Sequence, residues 1–151
     1  MSGQLDHNPG EVIQQLLVDM VLATLPASAG AWPVYYSWMP DDTGVDGDIG
    51  VYDSTGVPHG RTQFDGIQQL HYGFQVIIRN TDIALARTKI RAMADGFDED
   101  VLRRTVTVDS TNYAVQSIER QGDVMFMGRE GGTSRRRRFS INALTAIDKI
   151  V

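Results

Sequence analysis

The chain contains no cysteine. That absence excludes disulfides, thiolate metal sites and cysteine nucleophiles, and it suits a reducing compartment. Histidine is scarce as well: His7, His59 and His71 lie far apart, and none stands at a metal-ligand spacing. His71, next to Tyr72 in an alternating apolar run, reads as a strand residue and not as a general base. The sequence has no G-x-S-x-G, no H-E-x-x-H and no P-loop. No apolar run approaches the ~18 residues needed to span a bilayer. The first six residues lack the basic and apolar regions of a signal peptide. The expectation is a protein with no catalytic constellation, no cofactor, no metal and no membrane span.

What is present is ordinary in amount and uneven in placement. A chain of 151 residues, 42% apolar and 22% charged, can bury one core, so residues 1–151 are read as a single domain. Residues 1–75 carry one Arg against nine Asp and Glu, a formal −8, whereas residues 76–151 carry 13 Lys and Arg against 10 Asp and Glu, a formal +3. Two readings are open. The asymmetry can create opposite-signed surfaces for oriented association with copies or partners, or the acidic residues can sit in a solvated loop.

The longest coherent pattern runs from Leu70 to Phe97. His71 to Arg79 has the aromatic and β-branched composition of a strand. Asn80, Thr81 and Asp82 supply oxygens that can cap a helix. Ile83, Ala86, Ile90, Met93 and Phe97 then recur at steps of three and four, one apolar stripe on a helix, with Gly96 as a left-handed stop. Upstream, Asn8, Pro9 and Glu11 form a helix start. Ile13, Leu16, Leu17, Met20 and Val21 make that helix's apolar face, and Pro26 and Gly30 end it.

Further strands are expected at Val34–Met39, Ile49–Asp53, Arg104–Asp109, Tyr113–Glu119, Val124–Met127 and Phe139–Ile147. The Ile49–Asp53 strand is closed by the turn signals Ser54-Thr55-Gly56 and Pro58-His59-Gly60. Asp109 to Asn112 forms a hairpin turn. Asp98-Glu99-Asp100 reads as a post-helix turn. Residues 38–66 read as an acidic, Gly-rich loop and strand insertion. The fold class is α+β: a mixed, mainly antiparallel sheet of about six strands with two helices packed on one face.

Two charged segments invite a functional reading. Asp42, Gly44, Asp46 and Gly47 loosely echo an EF-hand loop, but Gly44 stands where an oxygen ligand is needed and Asp53 where a bidentate Glu is usual. A solvated turn fits better. Arg135-Arg136-Arg137-Arg138 could contact phosphate, yet alternation lets only two of the four share a face. Interleaved aromatics for base stacking are absent apart from Phe139. The run is therefore read as a solvated hairpin tip or a salt-bridging edge. Arg129, Arg135, Arg136, Arg137, Arg138, Asp41, Asp42, Asp46 and Asp48 become the candidate subunit or partner interface.

Four segments in order resemble the tail terminator (tail-completion, or minor capsid) proteins of long-tailed bacteriophages. Ile49 to Pro58 is similar to that family's strand followed by a Gly/Pro turn. Tyr72 to Asp82 resembles its central G-x-Q-V-x-x-R strand leading into a helix. Glu119 to Asp123 together with Met127 to Glu130 resemble its R-x-G-D…G-R-D loop, and Phe139 to Asn142 its closing strand. Val124 stands in place of a proline, Glu130 in place of an aspartate, and the arginine run is longer than usual.

The resemblance implies an assembly role. Such proteins form a ring, usually a hexamer, on the finished tail tube. They stop tube polymerisation and present a surface to the head-completion or neck protein. The implied partners are thus further copies, the tail tube protein and the neck protein, with DNA passing through the bore without specific binding. The implied location is the head–tail junction of the virion, and the host cytoplasm during assembly. The alternatives are a neck adaptor or stopper of the head–tail connector, and a small DNA-associated protein using Arg135–Arg138.

Overall fold

A computed structural model describes residues 5–28, 30–40, 47–62, 68–99, 101, 104–129 and 136–150, with backbone alone over 56–62 and 68–70. Helix α1 spans Pro9–Asp19 and α2 spans Ile83–Glu99. The strands are β1 (Val34–Tyr36), β2 (Gly47–Thr62), β3 (Gln68–Asn80), β4 (Arg104–Val108), β5 (Thr111–Arg120), β6 (Met125–Arg129) and β7 (Arg137–Lys149). They form one sheet in the order β1-β2-β3-β7-β5-β4, and β6 also pairs with β7. Among the described strands the β1–β2 pair is parallel and the other neighbours are antiparallel.

β7 is the centre of the sheet. Its first residues pair with β3 on one side and β6 on the other, Asn80↔Arg137 and Arg129↔Arg137, and its last residues pair with β5. β5 and β6 thus run along the same side of β7 as one interrupted strand. The interruption, Gln121 to Val124, turns on Gly122 at φ 98°, a value that favours glycine.

Alternation sorts β7 as its sequence suggests. Phe139, Ile141, Ala143 and Ile147 join the core beneath the helices, with buried Thr145 on the same face. From α1 come Val12, Ile13, Leu16 and Leu17, and from α2 come Ala86, Ile90, Met93, Ala94 and Phe97. Both helices therefore lie on one face. The sheet curls around them, so that α1 touches β1, β2 and β3 on one side and β4, from the other end of the strand order, on its flank. Among the described residues, no helix is long and apolar enough to cross a membrane.

Local signals fix some ends and not others. Asp82 caps α2, its Oδ1 accepting from the Ala84 and Leu85 amides at 2.9 and 3.4 Å. Glu11 Oε2 accepts from the Asn8 amide at 2.9 Å at the start of α1. Asp109 and Ser110, both at positive φ, make a two-residue hairpin turn tighter than the four residues expected.

Several expectations fail. Gly96 does not stop α2; it is buried inside the helix, where a Cβ would come within 2.8 Å of Met20 Cε. Asp98 and Glu99 are accordingly the last helical residues and not a turn. α1 ends at Asp19, well before Pro26, because Val21 turns left-handed at φ 59°. The Leu22 amide reaches the Leu17 carbonyl at 3.0 Å and the Val21 amide the Val18 carbonyl at 3.0 Å, the bond pair of a Schellman stop. Val21 is consequently 86% exposed and not part of the apolar face. Finally, β2 does not close at Ser54 to Gly60. It continues to Thr62, and the turn-like residues become register shifts between Ser54 and Val57 and between Pro58 and Thr62. Residues 47–62 are thus a main strand of the sheet, with Ile49 and Val51 in the core.

Candidate interaction surfaces

The charged residues singled out from sequence divide sharply. Asp48 is fully buried on β2. Its register partner Arg79 grips it with both ends of the guanidinium, Nε donating to Oδ1 at 2.6 Å and Nη2 to Oδ2 at 2.9 Å. Arg79 Nη2 also donates to the Pro40 carbonyl. Arg136 lies within 3.7 Å of the same carboxylate and is itself buried. Arg138 pairs in register with Arg79, and its Nε is buried with no hydrogen-bond partner among the described residues.

Asp48, Arg79 and Arg136 therefore form one node on the sheet face away from the helices, with Arg138 beside Arg79 in register on the same face. Alternation sends Arg137 to the other face, where Nη1 donates to the Thr81 carbonyl at 3.2 Å. For Asp48 and Arg136 the expectation of a surface contact is overturned. Their charges face each other and stay out of solvent, because β2 and β7 flank the same strand. Arg129 is exposed at the end of β6. Asp41, Asp42, Asp46 and Arg135 lie outside the described residues, as do Gly131 and Gly132. Among the described residues no group of three His, Asp or Glu could hold a metal ion.

A second polar corner sits at the start of α1. Asp53 Oδ1 accepts from the Gly10 amide at 2.8 Å, and Oδ2 accepts from the Tyr36 hydroxyl. A cleft of about 280 Å³ lies beside it, lined by Asn8, Pro9, Asp53, Ser54, Tyr72 and Gly73. Burial, reinforced by the neighbouring Asp53 carboxylate, pushes the Tyr36 phenol well above its ordinary range. The phenol stays protonated as a donor, and each carboxylate oxygen accepts one of these bonds, so the corner anchors the start of α1.

A third cluster ties α2 to the β5–β6 interruption. Arg120 donates to Asp98 through Nε and Nη2 at 3.0 and 2.8 Å. Arg91 donates to Asp123 at 2.9 Å. The Arg120 hydrogen bonds hold the Asp98 carboxyl below its usual range. The Val124 amide and Arg91 do the same for Asp123.

The residues that sequence reasoning missed are apolar and exposed. Trp38, beyond β1, is 59% exposed and rests against Tyr35 with ring centroids 5.5 Å apart. On β6, Met125 is 51% and Phe126 53% exposed, with Phe126 5.1 Å from the Phe139 ring. A Met-Phe-Met strand ordinarily reads as core, so only the topology shows that it lies on an edge. No protein-family model matches the chain, and no curated protein matches it.

Proposed function

We propose that this chain is a structural virion protein of the tail terminator kind: a ring, built from copies of the chain, that caps the tail tube of a long-tailed bacteriophage, halts tube growth and offers the joining surface to the neck. One observation carries the reading. The four segments that resemble the family, scattered from residue 49 to residue 142 of the sequence, fall on β2, on β3 leading into α2, on the β5–β6 interruption and on β7, which are neighbours in one sheet. The glycines of the loop segment, Gly122 and Gly128, both take the positive φ that suits glycine, 98° and 83°.

The DNA-associated alternative loses support, because Arg136 is buried against Asp48 and Arg137 is bonded to the backbone of Thr81. A terminator needs one face complementary to the tube end and another that refuses further tube subunits. Two unlike sheet faces support this reading: among the described residues, one is packed against both helices and the other is not.

The test is deletion of the gene in its phage followed by electron microscopy of the lysate. Overlong tails without heads are expected. Filled heads that leak, alongside free tails of normal length, would refute the terminator role and favour a neck adaptor.

A further inference from the structure

At one level the sheet is five strands wide, and its two ends carry unlike apolar patches. The register partners Val34↔Ile49, Ile49↔Ile78, Ile78↔Phe139 and Phe139↔Phe126 make one row from β1 to β6. The adjacent row runs Tyr35, Gly50, Ile77, Ser140, Met125. Tyr35 and Met125 therefore share the face away from the helices, at opposite ends of the same row.

The two ends differ in kind. At β1 the backbone edge is closed: the Val34 amide donates to the Thr24 carbonyl at 2.9 Å, and the Val34 carbonyl accepts from Gln14 Nε2 at 2.9 Å. What that end offers is side chains, the Trp38 indole resting on Tyr35. At β6 the outer edge pairs with no other strand among the described residues. It exposes apolar side chains on both faces, Met125 on one and Phe126 on the other. An exposed apolar strand edge is a surface that soluble proteins ordinarily protect.

We infer that copies of this chain meet end to end along this row, Met125 and Phe126 of one copy packing against Tyr35 and Trp38 of the next. The inference rests on the ring reading above and names its contact. Because the patches are unlike and occupy opposite ends of one row, their union is heterologous, and repeating it closes a ring or continues a chain; it does not stop at a pair. Thioether–aromatic and aromatic–aromatic contacts suit such a seam.

The cysteine-free chain gives a clean test. Trp38→Cys and Phe126→Cys variants are mixed, treated with a short bis-maleimide and compared with a Leu85→Cys and Phe126→Cys mixture. Leu85 is 55% exposed on α2 and outside the proposed seam. Particle mass is followed in parallel by light scattering, alone and with tail tube ends.

Cross-linking of the first mixture about tenfold above the control is expected, from the high effective concentration of adjoining sites. A chain carrying both Trp38→Cys and Phe126→Cys should give a ladder ending at the ring mass. Phe126→Asp should weaken assembly about 30-fold, as loss of a central aromatic contact does, while the subunit still folds, as its far-ultraviolet circular dichroism reports. Rings of the right mass without preferential Trp38–Phe126 cross-linking would overturn this contact and leave the ring reading standing. Dominant Phe126–Phe126 cross-linking would overturn it in favour of a symmetric pair. A subunit that stays monomeric at every concentration and on tube ends would sink both.

Discussion

Replacing Asp48 by alanine should be among the most damaging single changes to this subunit. The carboxylate is fully buried and serves Arg79 through two bonds of 2.6 and 2.9 Å and Arg136 at 3.7 Å. Both guanidinium groups are themselves nearly closed to solvent, with side chains 6% and 9% accessible. Removing one partner of a buried charge pair typically costs about 3–5 kcal/mol, because the remaining charge stays desolvated. For a domain of this size roughly 2–4 °C of melting temperature accompanies each kcal/mol, so a loss of about 6–20 °C is expected. Thermal and urea unfolding followed by the fluorescence of Trp32 and Trp38 measure it, with Asp95→Ala on the exposed face of α2 as the control expected within about 0.5 kcal/mol of the parent. The doubly substituted Asp48→Leu/Arg79→Met chain should recover at least about 1 kcal/mol of the Asp48→Ala loss, since an apolar replacement of both partners leaves less charge stranded. A loss below about 1 kcal/mol for Asp48→Ala would refute the reasoning, for it would mean that the node is hydrated or free to rearrange.

Val21→Gly should stabilise the subunit. A β-branched residue at φ 59° carries about 1–2 kcal/mol of left-handed strain, partly offset by glycine's larger unfolded-state entropy of about 0.4–1 kcal/mol, so a net gain of roughly 0.5–1 kcal/mol is expected in the same urea titration; a loss would show that the exposed valine makes a contact of its own. Acid should weaken the joint between α2 and β5. Asp98 and Asp123 sit below their usual range in the folded state, so their stabilisation is complete above the unfolded carboxylate value of about 4 and disappears as pH falls through the lower folded values. Arg120→Leu should therefore flatten the fall of stability between about pH 5 and pH 2; an unchanged slope would contradict the assignment.

The helices and their faces were readable from periodicity because burial on one stripe is a local pattern. Ala86, Ile90, Met93 and Phe97 are all core residues, and so are Ile13, Leu16 and Leu17. Punctuation was less dependable. Glycine permits a stop but does not impose one: Gly96 is needed for the approach of Met20, while α1 stops at a valine, where sequence gives no sign. The turn signals after Asp53 gave way to pairing, because β3 lies alongside β2 over its whole length. Charge was the least legible property. Arg136 looks like part of a surface run until its carboxylate, Asp48, is found 88 positions away in the chain. Met125 and Phe126 pose the converse problem, since an apolar strand has no mark that says whether another strand lies beyond it.

The internal placement of Asp48 and Arg136 bears on how the proposed ring could form. A ring closes at a fixed number of subunits only if each copy holds its two contact ends at a constant distance and angle. The row from Val34 to Phe126 crosses five strands, and twist between strands is the soft variable in any such sheet. The Asp48–Arg79–Arg138 register lies one residue along from the Ile49–Ile78–Phe139 row on the same three strands. A bidentate ion pair on the central pair, backed by Arg136, resists the sliding and twisting that would change the span. Buried charges of this kind contribute little net stability over well-packed apolar groups. Their value lies in geometric constraint, since the paired groups tolerate only a narrow range of separations and angles. In the proposed ring, Asp48, Arg79 and Arg136 would act as an internal brace, and the apolar ends of the row would make the contact.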